Sequence, residues 1–309
     1  MSEVILMQYT MTDALPIITK ILSEGRLSIF AGSGISVESG LPAWDGFIDK
    51  YIDICEELNK SLEPCYQFTD IISDAKASKD KNLISTITAL KGKVKEIKTH
   101  GINTDFCDDE LNALFYGAIP CDYHKTIVAT NYRHIITTNY DALLEKAAKQ
   151  EGYTSLLTRA YSYTEQQNLS MAIYSGKTAI IHAHGKIADI KLDQFVLTEE
   201  DYLAIMKHNP GFRLIINSIF LTNSVLFAGY GGSDPHFEDI ISDLNMTLNW
   251  NAGGAELPRC YIMLKKDKVT PIREFLSDKH RVDIITFDEY TQMKDFLKAL
   301  EISCPRSKP

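Results

Sequence analysis

The chain has no pair of cysteines spaced as C-x-x-C. Its six cysteines, Cys55, Cys65, Cys107, Cys121, Cys260 and Cys304, stand singly, which argues against a structural zinc of the usual ligand spacing. Residues 1–8 are short of a secretory leader and lack its basic start. Reduced thiols in a cytoplasmic protein are therefore expected. No apolar run approaches the length of a membrane span; residues 224–228 are bounded by Asn223 and glycines. Positive charge is in deficit, 32 basic residues against 41 acidic for a net charge of −9. That argues against a broad footprint on nucleic acid. Internal repeats and low-complexity tracts are also missing.

What is present is 309 residues of ordinary globular composition, 45% hydrophobic and 24% charged, enough for a substantial core. Residues 27–44, LSIFAGSGISVESGLPAW, organise the rest. A buried strand over 27–30 runs into Ala31-Gly32-Ser33-Gly34, and a helical pattern begins at about Val37. Such a turn lets the backbone approach a phosphate, with the free N–H groups of a helix end facing the anion. The spacing is not G-x-G-x-x-G, because Val37 takes the place of the third glycine.

Further short, β-branched or apolar runs mark strands over 132–138, 178–183, 224–228, 259–264 and 282–287, with a shorter one at Leu156 and Leu157. Helical spacing marks 13–24, capped by Thr12 or Asp13 and stopped by Gly25, then 142–149, 198–206, 212–221, 236–248 and 290–300. Residues 99–109 and 249–256 read as loops, and 301–309 as a short polar tail. Strands alternating with helices predict a Rossmann-like α/β fold with a doubly wound parallel sheet. We expect one domain over residues 1–309, with a helical insertion at about 46–130.

Ligands of such sheets lie outside the carboxyl ends of the strands. Four strands end in chemically notable residues: Gly32-Ser33-Gly34; Asn139 with Asp141; His184-Gly185; and Gly229 to Asp234. Each alone has a bland explanation, since Asn, Asp and Gly are favoured turn residues and a strand-end histidine is more often structural. Their convergence on one rim is what points to a site. An amide such as Asn139 can hold a water or hydroxyl without ionising. A histidine exchanges protons near neutral pH.

These segments together resemble the sirtuins. Ala31 to Ser36 with Ser39-Gly40-Leu41-Pro42 is similar to the opening motif. Thr137-Thr138-Asn139-Tyr140-Asp141 is similar to T-Q-N-x-D, His184-Gly185 to the catalytic H-G, and Gly229 to Ser233 to the later glycine-serine segment. The resemblance covers about 200 residues and implies chemistry at the bond between nicotinamide and ribose of NAD⁺. It implies that Ala31, Gly32, Ser33, Gly34 and Ser36 surround the phosphates and nicotinamide ribose. Asn139 would hold the ribose and attacking water, Asp141 would recognise nicotinamide, and His184 would be the general base. Gly229, Gly231 and Ser233 would line the adenosine half. Cationic nicotinamide leaves an oxocarbenium-like sugar, so the site must orient a nucleophile and tolerate positive charge.

Two departures separate the chain from protein-deacylating sirtuins. The four-cysteine zinc ribbon is not readable, and the P-D-F-R run is replaced by Pro42-Ala43-Trp44-Asp45. Both departures recur in bacterial sirtuin-like proteins of anti-phage defence, which hydrolyse NAD⁺. The resemblance thus implies an NAD⁺ glycohydrolase with water as acceptor and no metal. A deacylase or ADP-ribosyltransferase, and a non-catalytic module binding NAD or ADP-ribose, are the alternatives. Control is expected from a homo-oligomer or a companion sensor protein, without membrane or direct nucleic-acid contact. The helical insertion and residues 249–256 are the candidate surfaces.

Overall fold

The computed structural model describes residues 8–78, 83–187, 196–230, 259–269 and 282–308. The described chain enters through β1 (Gln8–Thr10) and α1 (Met11–Ser23), then forms β2 (Leu27–Ala31). Four helices come after it, α2 (Trp44–Ser61), α3 (Thr69–Ser78), α4 (Leu83–Thr99) and α5 (Asp105–Phe115). Next come α6 (Asp122–Ala129), β3 (Ile135–Thr137), α7 (Leu143–Gln150), α8 (Thr154–Leu157), β4 (Ala160–Ser162), α9 (Gln166–Tyr174) and β5 (Ile180–His182). The described chain closes with α10 (Glu199–His208), α11 (Pro210–Thr222), β6 (Ser224–Ala228), β7 (Cys260–Lys265), β8 (Val282–Phe287) and α12 (Tyr290–Ser303).

The described strands make one sheet in the order β1-β8-β7-β6-β2-β3-β5-β4, and every pairing is parallel. From β2 the sheet grows one way through β3 and β5 and the other way through β6 and β7. This is the Rossmann-like, doubly wound arrangement, and its switch point lies beside β2. All five residues of β2 are buried, as a strand covered on both faces requires. Its side chains alternate. Leu27, Ile29 and Ala31 pack with α1, α6, α7 and α12, whereas Phe30 packs on the other face with α9, α10 and α11.

Helices α2 to α5 hold a core of their own, including Phe47, Tyr51, Leu58, Leu90 and Leu111. Tyr140, just beyond β3, and Leu197 belong to that same core. An ion pair adds a second tie: Lys91 Nζ on α4 lies 2.6 Å from Asp201 Oδ1 on α10. The other Asp201 oxygen accepts from the N–H groups of Leu197 and Thr198, which start α10.

Several local expectations are corrected. Leu156 and Leu157 lie in the short helix α8, and the edge strand is β4, three residues on. The loop expected over 99–109 gives way to α5 at Asp105. Asp105 and Asp108 are acidic residues of its first turn, and Cys107 and Leu111 are its buried face. The cap of α1 is Thr10, whose hydroxyl accepts from Asp13 N. The polar tail is docked, with Arg306 N donating to Ala129 O and Asn131 N to Cys304 O. The helix expected over 236–248 and the loop 249–256 lie outside the described residues.

Candidate active site at the switch point

The ends of β2 and β6 interlock through glycines. Gly32 N–H donates to Ala228 O at 2.9 Å, and Gly34 N–H to Gly229 O at 2.8 Å. A Cβ on Gly32 would stand 2.6 Å from Gly229 O, and one on Gly34 2.8 Å from the same oxygen. Gly229 has φ +66°, and a Cβ there would stand 2.6 Å from Ile35 N. Close backbone contact therefore accounts for these glycines. The amides of Gly32 and Gly34 are engaged, and Ile35 N–H bonds Gly32 O. The expectation of free N–H groups is thus corrected at Gly32, Gly34 and Ile35. The next element is a seven-residue 3₁₀ helix, Ser33–Ser39, not an α-helix from Val37.

That 3₁₀ helix carries Ser36 into a cavity of about 660 Å³, its open mouth included. Ser33, Ser36, Asn139, Asp141, His184 and Gly229 all line it. Trp44, Phe47, Phe115 and Tyr140 give it an aromatic wall, with Trp44 stacked on Phe47 at 6.0 Å between ring centroids. Tyr140 is set by a 2.8 Å bond from its hydroxyl to Val196 O. Ala31, Gly32 and Gly34 do not line the cavity but underlie it. Ala31 O accepts from Thr137 Oγ1 at 2.8 Å, and that hydroxyl in turn accepts from Asn139 N at 3.0 Å. Gly231 and Ser233 lie outside the described residues.

Ser36 is the hub. Its hydroxyl donates to Asp141 Oδ2 at 2.8 Å and accepts from Asn139 Nδ2 at 3.2 Å. His124 Nε2 on α6 lies 3.2 Å away. The backbone N–H of Cys121 donates to His124 Nδ1 at 3.3 Å. That nitrogen is therefore the acceptor and Nε2 carries the proton, which it donates to Ser36. Burial pushes the His124 pKa down to about 4, so the neutral tautomer persists at pH 7. One donor and two lone pairs of the hydroxyl are thus all used.

The same contacts orient Asn139. Its Nδ2 also donates to Gly32 O at 3.2 Å. A carbonyl can only accept, so the amide nitrogen must face this way. Asn139 Oδ1 is buried without a hydrogen-bond partner among the described residues. Asp141 Oδ1 accepts from Leu143 N at 3.0 Å, which starts α7. Burial raises the Asp141 pKa, against the hydrogen bonds of Leu143 and Ser36. His184 lies just beyond β5, with its ring 6.3 Å from that of Tyr140. Burial pushes its pKa down to about 3, so it is a neutral imidazole at pH 7.

Three further residues of this region, His124, His182 and Glu145, have no counterpart among the sequence-based candidates. His182 closes β5 and is fully buried, with Nε2 2.9 Å from Glu145 Oε1 on α7 and Nδ1 3.2 Å from Asn139 O. A histidine inside the apolar run TAIIHA was the available signal. His124 carried none, because its role depends on how α6 packs on the 3₁₀ helix.

Residues 133–290 match the family model of the SIR2-like domain. The chain is 29% identical over 256 residues to "Defense-associated sirtuin 2" of Bacillus subtilis, covering 81% of this chain and 22% of that protein. It is 23% identical over 300 residues to "NAD(+) hydrolase ThsA" of Enterococcus faecium, covering 90% of this chain and 56% of the relative. It is 26% identical over 238 residues to "NAD(+) hydrolase ThsA" of Acinetobacter baumannii, covering 76% and 42%. The chain thus spans between 22% and 56% of the length of these relatives. On the family model, which takes in β3, β5 and β6 with Asn139, Asp141, His184 and Gly229, the chain belongs to the SIR2-like domain family.

Proposed function

We propose that the chain hydrolyses NAD⁺ to nicotinamide and ADP-ribose and acts by depleting NAD⁺ in anti-phage defence. One observation carries this reading. Asn139, Asp141 and His184 meet in a single cavity at the switch point, and Asn139 Oδ1 is a buried acceptor without a partner among the described residues. The names of the relatives, NAD(+) hydrolase and defence-associated sirtuin, support it.

In this reading Asn139 Oδ1 accepts from a ribose hydroxyl or the attacking water. His184 takes the proton of that water. A neutral imidazole of low basicity suffices, because water bonding to a developing ribosyl cation becomes strongly acidic. The Asp141 carboxylate receives the nicotinamide amide, and the wall of Trp44, Phe47, Phe115 and Tyr140 suits its flat ring. Ser33 and Ser36, over the backbone of Ala31, Gly32 and Gly34, face the nicotinamide ribose and phosphates. Gly229, Gly231 and Ser233 face the adenosine half. The protein works in the cytoplasm as one domain with a helical insertion, controlled by self-assembly or by a companion sensor.

The test is nicotinamide release from NAD⁺ by the protein purified with its co-expressed operon partners. Asn139→Ala and His184→Ala should each lower kcat at least ~100-fold, the scale of one general base or oriented polar group. Wild-type rates in both variants would sink the site assignment. Turnover that requires acetyl-lysine would replace hydrolysis by deacylation, and tight binding without release would make the chain a binding module.

A further inference from the structure

His182 and Glu145 stand behind the cavity, outside its lining. His182 is fully buried and Glu145 nearly so. Asn139 O, a carbonyl, can only accept, so His182 Nδ1 donates to it at 3.2 Å. His182 Nε2 then meets Glu145 Oε1 at 2.9 Å. If both groups are ionised, the imidazole donates from both nitrogens. We propose that His182 and Glu145 form a buried imidazolium–carboxylate clamp that positions Asn139 through its backbone carbonyl. The clamp itself is independent of the reaction; its kinetic consequence rests on the glycohydrolase reading.

The charges around His182 support ionisation. Glu145 faces it from α7 and Asp141 from the turn before α7, against Lys186 beyond β5. Burial alone would lower the His182 pKa, but the charge and hydrogen bond of Glu145, with the Asn139 carbonyl, raise it above its ordinary value. Glu145 is displaced the other way: burial raises its pKa, but the charge and hydrogen bond of His182 bring it below the usual range. Glu145 Oε2 is buried without a hydrogen-bond partner among the described residues. A carboxylate so placed is tolerated where a counter-charge offsets its desolvation. Because His182 is raised, its charge is complete below pH 6.5 and is lost as pH climbs through its folded pKa. Asn139 is then held by an ordinary hydrogen bond, weaker than a charge-assisted one.

The test joins nitrogen NMR of histidine-labelled protein with kinetics. At pH 6.5, where an ordinary histidine is half protonated, the His182 ring should be mostly protonated at both nitrogens, and Glu145→Gln should make it neutral and move the Asn139 carbonyl carbon resonance. The wild type should lose kcat at alkaline pH with little change in KM. Glu145→Gln should start about tenfold lower and lack that alkaline limb. His182→Gln, which keeps a neutral donor, should behave like Glu145→Gln. A neutral His182 in the wild type overturns the clamp. So does a Glu145→Gln variant whose Asn139 carbonyl resonance and pH profile match wild type. If neither variant folds, the His182 titration in the wild type decides. Failure of the wild type to release nicotinamide overturns the glycohydrolase reading alone, since the NMR result still decides the clamp.

Discussion

Ser36 Oγ donates to Asp141 Oδ2 at 2.8 Å across 105 residues of chain. That bond joins the end of β2 to the end of β3 and places a hydroxyl, a carboxylate and the Asn139 amide within one network. Ser36→Ala would leave His124 Nε2–H without its acceptor, Asn139 Nδ2 with one acceptor instead of two, and Asp141 Oδ2 without a donor. We expect nicotinamide release to fall ~10- to 100-fold, the equivalent of about 1.4–2.7 kcal/mol for bonds to a charged group. Initial rates at saturating NAD⁺ check this, and an unchanged rate would separate Ser36 from the reaction.

The glycine interlock predicts a graded series. Gly229→Ala meets both a left-handed φ and Ile35 N at 2.6 Å, and Gly34→Ala meets Gly229 O at 2.8 Å. Each should destabilise by about 2–4 kcal/mol, as strain and overpacking against backbone cannot relax cheaply. Gly25 has φ +68° but open space around it, so Gly25→Ala should cost only about 1 kcal/mol. Urea denaturation at constant m-value gives the order directly.

Stability should fall on mild acidification. Burial pushes His184 down to about 3, and burial likewise holds His124 and His134 at about 4. Between pH 6.5 and about 4 the unfolded chain binds protons at these three positions and the folded chain does not. The slope is at most ~4 kcal/mol per pH unit, three times the single-site value. His182, raised above 6.5, works the other way near the top of this range, where the folded chain holds its proton more firmly than the unfolded one. Thermal unfolding should show Tm dropping from pH 6.5 to 4.5, and His134→Gln should flatten the drop.

Arg306 predicts a role for the last few residues. Its half-buried guanidinium donates to Val128 O, Thr130 O, Tyr132 O and Thr178 Oγ1, all within 3.1 Å. Burial pushes its pKa down to about 10. Arg306→Ala should destabilise by about 2–4 kcal/mol, through the loss of several hydrogen bonds from one charged group. Lysine should not rescue it, lacking the planar fork. Hydrogen exchange should show faster exchange at Thr130, whose amide closes α6, the helix that carries His124.

The strands of the parallel core were legible because each is a local apolar or β-branched run, and burial on both faces of a parallel sheet demands such runs. The rim residues Asn139, Asp141, His184 and Gly229 were legible for a related reason. They sit at strand ends, and the carboxyl edge of a parallel sheet collects every strand end on one side. The edge strands β1 and β4 were not legible, because three residues with partial burial carry no period. The start of α5 was hidden by turn-forming aspartates that instead serve its first turn.

By itself, then, the sequence determined the alternation of elements, the sheet class and the side chains offered at the rim. Only the tertiary structure decided how those side chains are held. Ser36 meets His124 and Asp141, Asn139 meets His182 and Gly32, and Gly229 meets Gly34 across separations that no local pattern encodes. The reason is physical. A propensity is summed over neighbours in the chain, whereas a buried hydroxyl, amide or imidazole must find its partners wherever packing brings them. At this site those partners came from α6, α7 and the ends of four different strands.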